Sequence, residues 1–351
     1  MVSHAGTGAV AGRAAWARAG AYHQTFHLAL HQEILDFERY VSPTADERAQ
    51  RAGLVDRLRS IVAEVFPAAE VQVFGSFATN LYLPTSDVDV CVMASGLAQQ
   101  NALQGLGSAL RSRGFGRVQC IDNAKVPIVK CVDERSGIHI DVSFDVANGP
   151  ANVELITQYL VRYPALRPLV LVLKCFLLQR KLNDVFSGGI GSYCLILIVM
   201  SHLQMYPSNF CRPGAKPSLG LLLIDFFQLY GKLFNYTTVG LAPRGHGSYF
   251  SKAARGLTQQ GRPHMLSVED PQDSENDVAK NSYNIFSVRR ALAYGHSLLA
   301  ARELAHAGNE EMVGTTLGAL VQVNAIKATR ARENFSIAKD FSEQPRKRQR
   351  R

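Results

Sequence analysis

Apolar residues fall at helical spacing through residues 23–40, HQTFHLALHQEILDFERY, which predicts a helix. SPTADE follows, with Ser42 placed to cap a second helix and Pro43 at its first position. That helix is expected to run to about Phe66, where Pro67 stops it. The period then changes to two: VQVF (71–74) and DVDVCVM (87–93) read as strands. Residues 99–113 look helical, and three strand-like runs follow: RVQCI, VPIVKCV and IHIDVSF. Past Pro150 long helical patterns take over, at about 151–162, 165–181, 190–206 and 218–231. Residues 235–270 are rich in turn formers, 282–306 are helical again, and the Ala-rich stretch 310–332 predicts a last helix.

The order of elements describes an α/β unit embedded in an α-helical one, so the fold class is α/β plus α, and 351 residues suit two domains. The expected division is a disordered tail at 1–22, helices at 23–66, an α/β domain at 67–149, a helical domain at 150–335 and a basic tail at 336–351. The helices before the first strand lack a partner in the α/β unit, and they are expected to pack on the helical domain.

Composition narrows the class. The chain is 47% hydrophobic and 19% charged, enough to bury a core. Its net charge is +9, which favours a polyanionic partner, but five positive charges fall in residues 346–351. That run reads as a nuclear address or a nucleic-acid patch. The first 32 residues hold no acid, which leaves a mitochondrial presequence as the competing address. The six cysteines have no C-x-x-C spacing, so buried thiols in a reducing compartment are expected rather than zinc or disulfides. LVLVLKCFLL and CLILIVM are too short to span a bilayer, and no membrane partner is expected.

The chemistry gathers in FGSFATNLYLPTSDVDV, residues 74–90. Period two turns Asp87 and Asp89 the same way. Two carboxylates that close repel, so they belong at a wet edge or beside a cation. Asp141 in IHIDVSF alternates with apolar residues in the same manner, and neighbouring strands would bring three carboxylates together. Oxygen ligands of this kind suit Mg²⁺ (or Mn²⁺), and such ions support in-line phosphoryl displacement. Gly75-Ser76, separated from Asp87 by ten residues, would let the backbone approach phosphate closely. Lys174 interrupts an apolar helix, where a lysine could snorkel to the surface. Ser192-Tyr193 follows GGIG, where glycines allow a ligand close to the backbone; the Tyr193 ring could stack on a base or be simple core.

These segments resemble the DNA polymerase β-like nucleotidyltransferases, and among them the noncanonical poly(A) polymerases of the TRAMP nuclear surveillance type. The resemblance runs from about residue 28 to 300 through VQVFGSFATNLYLPTSDVDV, GIHIDVSFDVANG, LVLKCFLLQRKLNDVFSGGIGSYCL and LSVEDPQDSENDVAKNSYNI. It implies a catalytic palm of mixed sheet and helices, with a helical central domain forming the other wall of a cleft. Asp87, Asp89 and Asp141 match the family's metal-binding catalytic positions, and Gly75 and Ser76 its triphosphate-binding turn. Asn148 matches a residue near the ribose, Lys174 and Ser192 match phosphate contacts, and Tyr193 matches a base-stacking ring. SVEDPQDSENDVAK resembles the nucleotide-recognition loop. There Asn276 stands where uridylyltransferase relatives often carry histidine, and Ala279-Lys280 replaces the usual small residue and arginine.

The resemblance implies ATP as substrate, RNA 3′ ends as acceptors, and a zinc-knuckle RNA-binding subunit and an RNA helicase as partners, in the nucleus. The expected function is template-independent RNA 3′-end adenylation. A terminal uridylyltransferase and an inactive RNA-binding scaffold subunit are the alternatives.

Overall fold

The computed structural model describes residues 14–19, 22–94, 99–123, 126–146, 148–206, 218–259, 261–308, 314–324 and 326, with only the backbone of 99 and 148. The chain divides into two compact units. One holds the N-terminal residues to Tyr40 and Ala165–Val323, and the other is built on Val41–Pro164.

The second unit is an α/β fold. Its elements are α2 (Ala45–Val65), β1 (Glu70–Phe74), α3 (Gly75–Ala78), β2 (Val88–Met93), α4 (Gln99–Arg111), β3 (Phe115–Ile121), β4 (Ile128–Asp133), β5 (His139–Phe144) and α5 (Asn148–Arg162). The five strands form one sheet in the order β1-β2-β5-β4-β3. Only the β2–β5 pairing is parallel. Val88, Val90 and Val92 of β2 and Ile140, Val142 and Phe144 of β5 join one core with Leu54, Leu58 and Ile61 of α2 and Leu103 and Leu106 of α4. Here the structure corrects two expectations. Helix α2 packs on this sheet rather than on the helical domain, because its Leu54, Val55, Leu58, Ile61 and Val62 supply the apolar stripe that covers it. Helix α5 also belongs to this unit, which therefore extends to Pro164.

The cap of α2 differs as well. Thr44, not Ser42, is the N-cap. Its hydroxyl accepts from the Glu47 amide at 3.1 Å, while the Glu47 carboxylate accepts from the Thr44 amide at 2.7 Å. This reciprocal capping box outranks the Ser-Pro signal, which satisfies one amide at most.

The first unit is mostly helical: α1 (Phe26–Val41), α6 (Leu166–Leu178), α7 (Ser192–Met205), α8 (Leu219–Gln228), a π-helical turn (Leu229–Leu233), α9 (Ile285–Ala307) and α10 (Thr316–Leu320). Two short hairpins lie between, β6 (Val239–Ala242) with β7 (Ser248–Ser251), and β8 (Glu269–Asp270) with β9 (Asp273–Asp277). Nearly every residue of α6 is buried, which explains its apolar run without a membrane. No helix among the described residues is long and apolar enough to cross a bilayer. Gly220 lets α8 approach α1, since a side chain there would strike the His27 carbonyl.

Residues 14–19 depart from the expected structureless tail. Trp16 is 6% exposed and packs edge-on against Phe37 at 5.8 Å, and Arg18 Nε donates to Asp36 at 2.7 Å. A lone tryptophan offers more apolar area than any other side chain, enough to hold its segment down. The expected helix at 310–332 is only α10 in the described residues, whose amides at Thr316 and Leu317 donate to the buried Glu33 carboxylate at 3.1 and 2.6 Å. The basic tail, residues 1–13 and Cys211 lie outside the described residues. The other cysteines are free thiols, all but half-buried Cys120 fully buried, and burial pushes Cys131 and Cys175 up to about 12.

Glu33 generates a pH prediction. Burial, only partly offset by the two amides and by Arg302, raises its pKa to about 7 from 4.5. Between those values the folded chain holds a proton that the unfolded chain releases, so this group removes stability as pH rises, up to about 3 kcal/mol. Unfolding free energy measured in urea from pH 5 to 8 is expected to fall less steeply for Glu33→Gln than for wild type. Parallel slopes would show that Glu33 does not titrate in this window.

Candidate active site

Two aspartates pair where β2 runs beside β5, and a third stands just before β2. Asp87 ends the loop entering β2, and Asp89 is the second residue of the strand. Val88 and Val90 are core, so strand alternation turns Asp89 to the opposite sheet face. In β5 the same alternation places Asp141 between buried Ile140 and Val142. The parallel register sets Asp89 directly against Asp141. On the other side of β5, Lys130 of β4 is the register partner of Asp141 and donates its Nζ to Asp141 Oδ2 at 2.6 Å.

The electrostatics follow. Burial raises the pKa of Asp87 above the ordinary value, and repulsion from Asp141 adds to it, against the pull of His139, Lys130 and Arg51. Burial alone would lower Lys130, yet its hydrogen bond to Asp141 and the charges of Asp141, Asp87 and Asp89 hold it above its usual value. The cluster therefore demands positive charge, and an ammonium partly meets the demand. Carboxylate oxygens, as hard donors, fit Mg²⁺ or Mn²⁺ in their chemistry. As placed, no group of three His, Cys, Asp or Glu side chains among the described residues is arranged to hold a metal ion; Asp141 is engaged with Lys130 instead.

Two neighbours hold the cluster in place. Gly75 has φ +67°, and a Cβ there would overlap the Asp89 carboxylate. The glycine thus permits both the left-handed turn and the contact. The Gly75 and Ser76 carbonyls are taken by the Thr79 hydroxyl and, for Ser76, by the Leu81 amide at 2.9 Å. On α2, Arg51 is 1% exposed, donates to the carbonyls of Pro84 and Ser86 at 3.0 and 3.1 Å, and lies over the Tyr82 ring. It braces the backbone that ends in Asp87. The sequence does carry the signal for Arg51, a basic residue three before Leu54 on the apolar face of α2, but that face was assigned to the wrong unit. Asn148 is the first residue of α5, and its side chain lies outside the described residues.

The remaining candidates lie in the helical unit. Lys174 is 6% exposed within α6, so the snorkelling alternative does not hold. Ser192, exposed, and Tyr193, half-buried, open α7. The Tyr193 hydroxyl donates to Asp270 Oδ1 at 3.0 Å, and Asn276 Nδ2 donates to Asp270 Oδ2 at 3.1 Å. Lys280 Nζ then donates to Asn276 Oδ1 at 2.8 Å. A carboxylate only accepts and an ammonium only donates, so this chain fixes which way the amide faces. Asp270 joins the helix start to the loop, and sequence reasoning missed it although SVEDPQDSEND displays it. Asp277 braces the same hairpin, accepting from the Val268 and Ala279 amides and the Ser267 hydroxyl.

The sheet order, the paired aspartates and the Gly-Ser turn define a nucleotidyltransferase palm. Residues 30–161 match the family model described as poly(A) RNA polymerase, mitochondrial-like, central palm domain, and residues 218–276 match that of the Cid1 family poly A polymerase. A solved structure of the polymerase core of TRAMP, an RNA surveillance complex, superposes with a TM-score of 0.78 at 35% identity, over 85% of this chain and 95% of that one. Poly(A) RNA polymerase cid14 of Schizosaccharomyces pombe is 38% identical over 289 residues, 81% of this chain and 42% of that protein. A Drosophila melanogaster protein, named an inactive member of the noncanonical group, is 36% identical over 301 residues, 84% of this chain and 73% of that protein. The chain belongs to the noncanonical poly(A) RNA polymerase family. It spans about half or less of the length of the fission-yeast relative.

Gly75 and Gly137 give a paired test of the turn. Both have positive φ, +67° and +72°, but nothing lies within 4 Å of an added Cβ at Gly137. Each alanine should cost about 1–2 kcal/mol for its backbone. Gly75→Ala is expected to cost more, by displacing Asp89. Equal losses in urea denaturation would mean that the turn does not press on the carboxylate.

Proposed function

We propose that this chain adds adenylate units from ATP to RNA 3′ ends without a template. The observation that carries the reading is the in-register pair Asp89 and Asp141 with Asp87 beside it, an acidic cluster that only a cation satisfies. Asp87, Asp89 and Asp141 would hold the divalent ion. When bound, that ion acidifies the attacking 3′-hydroxyl and offsets charge at the phosphate undergoing in-line displacement, with pyrophosphate leaving. Arg51 keeps the Asp87 loop in position, and Lys130 offsets charge at Asp141 in its absence.

The other roles follow the family resemblance. The Gly75-Ser76 turn approaches the triphosphate. Lys174 and Ser192 contact phosphate, Asn148 reads the ribose hydroxyl, and Tyr193 stacks on the base. Asp270 holds Tyr193 and Asn276 in one fixed arrangement, leaving the Asn276 amide one further donor and one further acceptor. That pair complements adenine through N6–H and N1, and equally uracil through O4 and N3–H. Hydrogen-bond chemistry alone therefore leaves UTP open, and the identity of residue 276 as asparagine tips the reading to ATP. Nuclear RNA surveillance, a zinc-knuckle RNA-binding subunit and an RNA helicase belong to the same proposal. The basic tail serves as a nuclear address.

The inactive-scaffold reading has support in the Drosophila relative's name, and the intact aspartate set favours an enzyme instead. Incubation of the protein with Mg²⁺, an oligoribonucleotide and each NTP in turn separates the readings. ATP is expected to extend the primer, and UTP much less. Asp89→Ala is expected to abolish addition while the melting temperature holds or rises, since one repelling charge is gone. Wild-type turnover by that variant would sink the metal-site assignment. Asn276→His is expected to move preference toward UTP; an unchanged ratio would remove residue 276 from base selection.

A further inference from the structure

The helical unit holds a second feature that the proposed reaction does not use. A pocket of about 240 Å³ opens between the π-helical turn, the segment following it, His264 and the first turn of α9. This is below the roughly 300–1,000 Å³ of whole small-molecule sites, so it suits one unit of a longer chain. Its walls carry four rings, from Phe234, Tyr236, His264 and Phe286, and the cations Lys232 and Arg289. No acidic side chain is among its described lining residues. His264 and Phe286 lie face to face, with centroids 4.2 Å apart and planes 29° apart. Phe286 is nonetheless 60% exposed, and Lys232 and Arg289 are exposed too.

The pocket is built rather than incidental. Lys252, 1% exposed, donates to the carbonyls of Tyr236, Pro263 and Met265 at 2.9, 2.7 and 2.7 Å. One buried ammonium therefore ties the Tyr236 wall to the segment carrying His264. The Tyr236 hydroxyl donates to the Tyr230 carbonyl at 2.7 Å, within the π turn. Gly231 brings that turn against α9, where a Cβ would meet the backbone of Ala293 at 2.5 Å. Arg289 leans toward the Tyr236 ring and donates to the Gly231 carbonyl at 3.4 Å. A rigid frame thus presents an open aromatic face beside two cations, the combination that single-stranded nucleic acid uses: a ring for any base and positive charge for the backbone.

We propose that this pocket binds one nucleotide unit of single-stranded RNA, its base stacked on the exposed face of Phe286 and its phosphate near Lys232 and Arg289. The site accepts the RNA strand and is separate from the residues assigned to ATP. It rests on the reading that the chain acts on RNA, and the test keeps the two apart.

The full chain is mixed with a fluorescein-labelled 15-nucleotide oligoadenylate without NTP or Mg²⁺, and anisotropy is followed at 150 mM salt. Phe286→Ala is expected to weaken binding about fivefold or more, the lower end of one stacked base. Phe286→Trp is expected to bind as wild type does or tighter. Lys232→Ala is expected to weaken binding and flatten its salt dependence by about one phosphate contact. Extension of the same primer by Phe286→Ala should show a raised KM for RNA with kcat retained. ATP affinity, from calorimetry, should not change. Oligoadenylate affinity for Phe286→Ala equal to wild type would overturn the site and leave the aromatic face to a protein contact. A loss of ATP affinity without a loss of RNA affinity would overturn the strand assignment in favour of free nucleotide. Equal losses for a duplex would overturn stacking. A wild type that adds no nucleotide yet shows the Phe286 effect would defeat the polymerase reading alone.

Discussion

The parallel pairing of β2 with β5 is the constraint on which the site depends. Apolar alternation alone decides which face each strand buries, and register then decides that Asp89 meets Asp141. The protein gains core from Val88, Val90, Ile140 and Val142 and accepts two like charges at facing positions on the reverse face. Like charges on neighbouring strands raise each other's energy. The neighbours answer it. Lys130 lies one strand away and bonds to Asp141, while Asp87 is held above its ordinary value first by burial and then by Asp141. A register slip of one residue would turn the aspartates into the core and the valines to solvent, so the charge cluster and the hydrophobic core cannot be altered separately.

The helical unit solves a related problem with one carboxylate. Asp270 is 5% exposed and accepts from the Tyr193 hydroxyl, the Asn276 amide and the Gln272 backbone. A buried carboxylate without such donors would be costly, and with them it fixes two side chains from separate elements. Glu33 does the same for the amides of α10. Burial raises its pKa, and the two neutral donors offset that only in part.

How much of this was legible in the sequence depended on whether the determinant was local. DVDVCVM and IHIDVSF announced both the strands and the acids that face one another across them, because a period of two and an acid that breaks an apolar run can be read from a few residues. Gly75 was legible as a glycine needed for close approach, although the approach is made by Asp89 within the chain. Lys174 was legible as an exception in an apolar helix. The partner of α2 was not, because an amphipathic stripe says that it is covered and not by what. Nor was the seating of Trp16, which depends on Phe37 across a stretch with no pattern of its own. Ser42 with Pro43 resembles a helix start, but Glu47 three residues on from Thr44 completes the stronger signal. Arg51 and Asp270 escaped because each acts through backbone carbonyls or side chains distant in sequence.

Charge is divided between the units in a way the net value of +9 conceals. The palm unit presents acids on one sheet face, with Lys130 and Arg51 bound up in holding them. The helical unit contributes Lys174 in α6, Lys280 bonded to Asn276, and Lys232 with Arg289 at the aromatic pocket. On the proposed assignment this division has a physical reason. A divalent cation needs several carboxylates in one place, and those carboxylates would repel a triphosphate and an RNA backbone. Cations placed on a separate scaffold can attract the phosphates without neutralising the acids that hold the metal. Were both sets carried on one sheet, lysines would pair with the aspartates as Lys130 does with Asp141, and each pair formed would remove one metal ligand and one phosphate contact together.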